Sequence, residues 1–214
     1  MSNKEKSLKS QYSFKLWSFI AFNFLLFWFF LVSKEINFKE LIEYENFFNT
    51  KNIFVATLAP IITIVLNGLL SHHLKAVLVF WKFKYPLPGS RVFTILVKKD
   101  LRVDIKKISK KYGKLPIDPE EQNKLWYKIY KANESKISVE DSHKNYLFCR
   151  DMTALSFIFL LVFTIILTIT YKSFSIIYVY VLFLLFQFII LALVSKNYGN
   201  RFVCNVLAED SSVI

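Results

Sequence analysis

Four stretches without one charged side chain, residues 16–33, 53–71, 153–171 and 174–195, restrict what this chain can fold into more than any other feature. About 20 apolar residues in a helix cross the roughly 30 Å hydrocarbon core of a bilayer, so each run is long enough to span. A helix is the expected form, because an open strand leaves backbone amides unpaired in lipid. A soluble fold could hide one such run as a buried core helix. In a chain of 214 residues, four could not all be covered. The runs therefore predict an all-α integral membrane protein with four transmembrane helices and a small helical cytoplasmic segment between the second and third.

Orientation follows from charge. The chain is 54% hydrophobic yet carries a net charge of +12, and the two properties are segregated along it. The amino-terminal tail has Lys4, Lys6, Lys9 and Lys15 against Glu5, whereas the loop 34–52 is balanced between lysine and glutamate. Between the second and third runs, residues 71–150 hold 18 Lys/Arg against 8 Asp/Glu. Basic flanks stay inside, which predicts a multi-pass protein of the bacterial inner membrane with both termini cytoplasmic. The first run ends in Leu31-Val32-Ser33-Lys34, without a small-x-small cleavage pattern, and reads as a retained anchor. Cys149 and Cys204 both fall on the cytoplasmic side, where a reducing environment argues against a disulfide.

The basic segment has its own punctuation. The pattern of the second run continues past Ser71 with lysines entering on one side, which predicts one long helix to about Lys84, ended by Pro86 and Pro88. A short helix from Asp104 to Tyr112 is stopped by Gly113. Asp118-Pro119 supplies a cap and a first-turn proline for another, with Leu125, Trp126, Ile129 and Tyr130 on its apolar face. From Ser138 no proline or glycine interrupts the chain until the end of the third run, a helix of about 50 Å that must project below the membrane. Residues 196–214 are expected as a cytoplasmic tail.

Catalytic chemistry finds little support. GxSxG, HExxH and phosphate-cradling loops are missing, and no cofactor motif is present, so the chain is expected to be a non-enzyme. Glu120 and Glu121 are explained by the helix dipole. His72 and His73 point about 100° apart on a helix and do not readily share a metal; they are expected as polar residues at the headgroup level. The spans contain no ionisable side chain, which argues against a coupled transporter. Among their uncharged polar residues, Thr57, Asn67 and Ser71 follow one stripe of the second run together with Pro60 and Ile64; Ser156, Thr164 and Thr168 lie near one another on the third, and Gln187 is on the fourth. Such groups either bond helix to helix or line a pore in a homo-oligomer, with Pro60 as a hinge. Thr57, Pro60, Asn67 and Gln187 are the candidates for that oligomeric or pore-lining core.

Arg91, Lys98, Lys99, Arg102, Lys106, Lys107, Lys110 and Lys111 are denser than topology requires. Besides anionic membrane lipid, they could receive a nucleotide, a nucleic acid or an acidic protein partner. Lysine predominates over arginine and no nucleic-acid-binding fold is visible, so base-specific reading is not expected. The interleaved Trp81, Phe83, Tyr85, Trp126, Tyr127 and Tyr130 suit base stacking and a small hydrophobic core equally.

Several stretches have the character of a signature: Asn67-Gly68-Leu69-Leu70, Leu78-Val79-Phe80-Trp81, Tyr85-Pro86-Leu87-Pro88-Gly89-Ser90-Arg91, Glu121-Gln122-Asn123-Lys124-Leu125-Trp126-Tyr127, Arg150-Asp151 and Arg201-Phe202-Val203. Together they resemble an uncharacterised family of small bacterial four-span inner-membrane proteins, from about the second run to the carboxyl terminus. The layout is also similar to the small membrane subunits of bacterial antiviral defence systems, by architecture and not by motif. The resemblance implies an inner-membrane location and oligomerisation, and transfers no catalytic residue. The expected function is a non-enzymatic oligomeric sensor or effector, whose basic segment recognises an anionic ligand or soluble partner and couples it to the membrane helices. The alternative is an anchor subunit that recruits or restrains a cytoplasmic enzyme.

Overall fold

The computed structural model describes residues 8–32, 61, 65–170 and 174–212, and all secondary structure among them is helical. In chain order the longer elements are α1 (Leu8–Val32), α2 (His72–Phe80), α3 (Ile105–Tyr112), α4 (Pro119–Asn133), α5 (Ile137–Thr170) and α6 (Phe174–Ser212). Between α2 and α3 the chain makes tight 3-10 and π turns over Pro88–Arg91, Val92–Leu96 and Val97–Lys99. Three helical stretches among the described residues, Ser10–Phe30, Ile137–Ile169 and Ile177–Ser212, are long and apolar enough to cross a membrane. The second apolar run, 53–71, falls mostly outside the described residues, as do the loop 34–52 and the turn 172–173.

Two compact units divide the chain. The first takes Met1–Ser71 and Ala154–Phe188. In it, α1 buries Tyr12, Leu16, Ile20, Asn23 and Phe27, a single stripe at helical spacing, while Phe14, Phe22 and Leu25 remain largely exposed. A helix apolar all round with one stripe covered is costly in water and costs nothing in lipid, which is the physical content of the membrane reading. Its buried stripe packs ring against ring. Phe27 stacks on Phe163 at 4.0 Å, and Phe24 meets the edge of Phe163 at 5.3 Å. Where lipid removes the hydrophobic drive between helices, such close packing supplies the association.

The second unit takes His72–Thr153 and Ile189–Ile214. Its core includes Val79, Phe80, Val92, Ile108, Ile129 and Val206, each at most 3% exposed. Local signals set two helix starts as the sequence implies. The Asp104 carboxylate accepts from the amides of Lys106 and Lys107 at 2.9 and 3.2 Å, and Asp118 accepts from those of Glu120 and Glu121 at 2.9 and 3.1 Å. Each cap is worth about 1 kcal/mol. Gly113, at φ 82°, ends α3 in a conformation that disfavours any residue with a Cβ.

One expectation needs correction. No single helix runs from the second apolar run to Lys84: residues 65–69 are helical, the chain bends at Leu70 and Ser71, and α2 starts anew at His72. It ends at Phe80, not Lys84, because Trp81 takes the left-handed backbone at φ 54° while its amide donates to Val77 O at 2.8 Å. The stretch 196–212, within the expected tail, is helical. α6 continues without a break to Ser212 and buries Phe202, Val203, Val206 and Leu207 in the core of the second unit.

Candidate functional site

The basic candidates all lie in the second unit, and Arg91, Arg102 and Lys111 are engaged in contacts within it. Arg91 is half-buried: its guanidinium lies 4.9 Å from the centre of the Phe80 ring and donates to the carbonyls of Pro86 and Leu87 at 3.3 and 3.4 Å. Through those carbonyl bonds Arg91 braces the turn after α2, and burial draws its pKa below the ordinary guanidinium value. Arg102 grips Asp100 through Nε at 2.9 Å and a terminal nitrogen at 2.7 Å. That hydrogen bonding holds the Asp100 carboxyl below its usual range. Lys111 donates to Asp210 at 2.8 Å, which raises the lysine's pKa. The same Asp210 oxygen accepts from the Tyr112 hydroxyl and the Asn133 amide, each at 3.1 Å, so one 2%-exposed carboxylate on α6 ties down α3 and α4.

Lys98, Lys99, Lys106 and Lys110 are exposed, and Lys107 is partly covered. Lys106 and Lys110 stand four residues apart on α3 and share a face. Lys98 and Lys99 end the short turn before it. Lys98, Lys99, Lys106 and Lys110 face solvent and can meet an anion, whereas Arg91, Arg102 and Lys111 are engaged in the contacts above.

Three of the signature stretches, around Gly89, Gln122 to Trp126 and Phe202 to Val203, pack on one another. Gln122 is 1% exposed; its side-chain oxygen accepts from the amides of Phe93 and Thr94 at 3.1 and 3.3 Å, and its nitrogen donates to Ile117 O at 2.8 Å. A Cβ on Gly89 would stand 2.5 Å from Asn123 Oδ1 and 3.0 Å from the Trp126 ring, so glycine lets the turn lie against α4. Trp126 donates to Val203 O at 3.2 Å, and Phe202 stacks on His143 with ring centres 4.5 Å apart. Asp151, 2% exposed, accepts from Lys75 at 3.3 Å and Arg150 at 3.1 Å; Arg150 also donates to His72 Nδ1 at 3.4 Å. Lys75 and Gln122 were not among the sequence candidates. No local pattern marks a lysine that will be buried beside an acid 76 positions away.

In the first unit, Gln187 donates to Asn23 Oδ1 at 3.0 Å and to Ser156 Oγ at 3.1 Å, joining α1, α5 and α6 inside one chain. Both amide hydrogens of a residue expected at an oligomeric or pore-lining surface are thus used within the chain. Asn23, which sequence reasoning passed over, is wholly buried and donates to Phe19 O at 2.9 Å. Asn67 is 6% exposed, and its Oδ1 has no hydrogen-bond partner among the described residues. Thr57 and Pro60 lie outside the described residues. No group of three or more His, Cys, Asp and Glu side chains among the described residues could hold a metal ion. No family model, curated protein or solved structure matches the chain.

Proposed function

We propose that the chain is a non-enzymatic sensor or effector of the bacterial inner membrane, with four spans and both termini cytoplasmic, and that it acts as a homo-oligomer. Lys98, Lys99, Lys106 and Lys110 receive an anionic ligand, a nucleotide or nucleic acid, or an acidic soluble partner. Arg91, Arg102 and Lys111 build the surface that carries them. One observation supports the reading above others: the helices that donate Tyr146, Phe202 and Val206 to the core of the basic unit are the same unbroken helices whose other turns are apolar enough to span. A ligand that shifts this core acts directly on the membrane helices, which then alter ion flow or membrane integrity. The defence role rests on layout alone and follows only if such a ligand signals infection.

The test uses the full chain in dye-loaded liposomes, with nucleotides and short oligonucleotides added to the basic face. Ligand-dependent leakage that disappears in a Lys98→Gln, Lys99→Gln, Lys106→Gln, Lys110→Gln variant is the expected result. An intact barrier under every condition removes the effector reading. A second reading is an anchor for a cytoplasmic enzyme, which would cover apolar side chains such as the exposed Leu101, Ile117 and Ile137. One stoichiometric partner recovered from native membranes, with no leakage, selects it.

A further inference from the structure

The first charged residue beside each membrane-length helix marks where the hydrocarbon ends. For α5 that mark is Arg150 with Asp151, just before the run 153–171; for α6 it is Lys196, directly after the run 174–195. Both ends of α2 meet these marks. Arg150 donates to His72 at its start, and Lys196 Nζ stands 5.9 Å from the ring centre of Trp81 just past its end. A nine-residue helix, about 13 Å long, thus has both ends beside the charged residues that flank the apolar runs, and on the membrane reading it lies along the surface.

The segment that follows has the chemistry of that boundary. Trp81, Lys82, Phe83, Lys84 and Tyr85 alternate ring and cation, all are exposed, and Phe83 is 86% exposed. Aromatic rings settle at the headgroup level, and lysines beside them attract anionic lipid. The backbone is held there at a cost. Trp81 and Tyr85 both adopt left-handed φ, 54° and 51°, where bulky side chains are disfavoured by about 1–2 kcal/mol. Between this segment and the start of α2 is a cavity of about 500 Å³, bordered by His72, His73, Phe83, Lys84, Tyr85 and Ser90. Because an arginine has no lone pair to offer, the contact with Arg150 makes His72 Nδ1 the acceptor and leaves Nε2 as an N–H donor. The acid that borders the cavity, Glu120, is bonded to Lys124 at 2.9 Å.

We propose that this cavity binds the phosphate-bearing headgroup of an anionic phospholipid from the surrounding bilayer, with His72, His73, Lys84 and Ser90 as donors and Phe83 and Tyr85 against the glycerol and upper acyl carbons. The site rests on the membrane reading of the helices and is independent of the sensor reading. It gives the adjacent histidines one shared anion to face, where a shared metal does not suit them.

The full chain, purified in detergent with an equimolar mixture of phosphatidylglycerol and phosphatidylcholine, is examined by native mass spectrometry for retained lipid. The expected result is preferential retention of phosphatidylglycerol, reduced about tenfold in His73→Gln with Lys84→Gln and also reduced in Phe83→Ala, whose side chain is too exposed to support the fold. Lys128→Gln, which removes the same formal charge elsewhere, leaves retention unchanged. Equal retention of the two lipids, retention unaffected by the cavity variants, or displacement of lipid by millimolar inorganic phosphate overturns the proposal, the last by marking a free-anion site. Ligand-driven liposome leakage is measured separately, so failure here and failure of the sensor reading are told apart.

Discussion

Asp151 holds a buried charge cluster together in the second unit. Its carboxylate faces Lys75 and Arg150, and the Lys75 and Asp151 side chains are 8% and 2% exposed. Removing one member of a buried ion pair strands the remaining charge, at a cost of about 3–5 kcal/mol. Asp151→Asn is accordingly expected to lower the thermal midpoint in detergent sharply, and adding Lys75→Met should recover part of the loss; an unchanged midpoint would show that the cluster carries no stability. Asp100 makes a pH prediction. Arg102 holds its carboxyl below the usual value of about 3.9, so the pair stabilises the fold fully above that value and its contribution fades as pH falls through the lowered one. Arg102→Gln should therefore erode stability at neutral pH and leave the difference from wild type smallest at the acid end of an unfolding series. Neither pairing was read from the chain. Lys75 looks like another basic residue of a flank, and only the fold places Asp151 beside it.

At the scale of elements, Gly199 shows why α6 tolerates a residue that weakens helices. Glycine inside a helix costs about 1 kcal/mol relative to alanine. Here a Cβ would come within 2.7 Å of the Phe80 ring and 3.0 Å of the Tyr146 ring. Gly199→Ala is expected to destabilise by about 1–3 kcal/mol in chemical unfolding, the opposite sign to its helix propensity. A stabilised variant would mean the rings move aside freely. Elements with local signals were legible. Asp104, Asp118 and Gly113 bound α3 and α4 because a cap acts within three residues of itself. The end of α2 was not legible. Pro86 and Pro88 suggested a later stop, while the actual one comes from Trp81 turning left-handed beneath Lys196, a residue more than a hundred positions away.

For the whole molecule, the three long apolar helices give the character of a helical membrane protein, and the basic unit is a folded body with its own core. The proposed topology makes a direct prediction. A cysteine at exposed Lys110, in a chain whose Cys149 and Cys204 are buried, should react with an impermeant thiol reagent in inverted vesicles and not in intact cells. Labelling from the outer face would reverse the orientation and move every proposed role with it. Gln187 illustrates the limit of reading a span by composition. An isolated amide in an apolar run signals that a partner exists, and two were found inside the chain, at Asn23 and Ser156. Gln187→Leu should cost about 1 kcal/mol of helix association, read as a lower thermal midpoint in detergent.

What the sequence determined by itself was whatever depends on neighbours along the chain: apolar runs of membrane length, basic residues gathered between them, caps and stops for the short helices. These follow from solvation and local backbone geometry, which act over one or two turns. The tertiary structure decided which cations are committed to the fold, where α2 ends, and that the last turns of α6 are core. Those outcomes turn on pairs such as Trp126 with the Val203 carbonyl, 77 positions apart, whose meeting depends on the packing of entire helices and leaves no periodic trace.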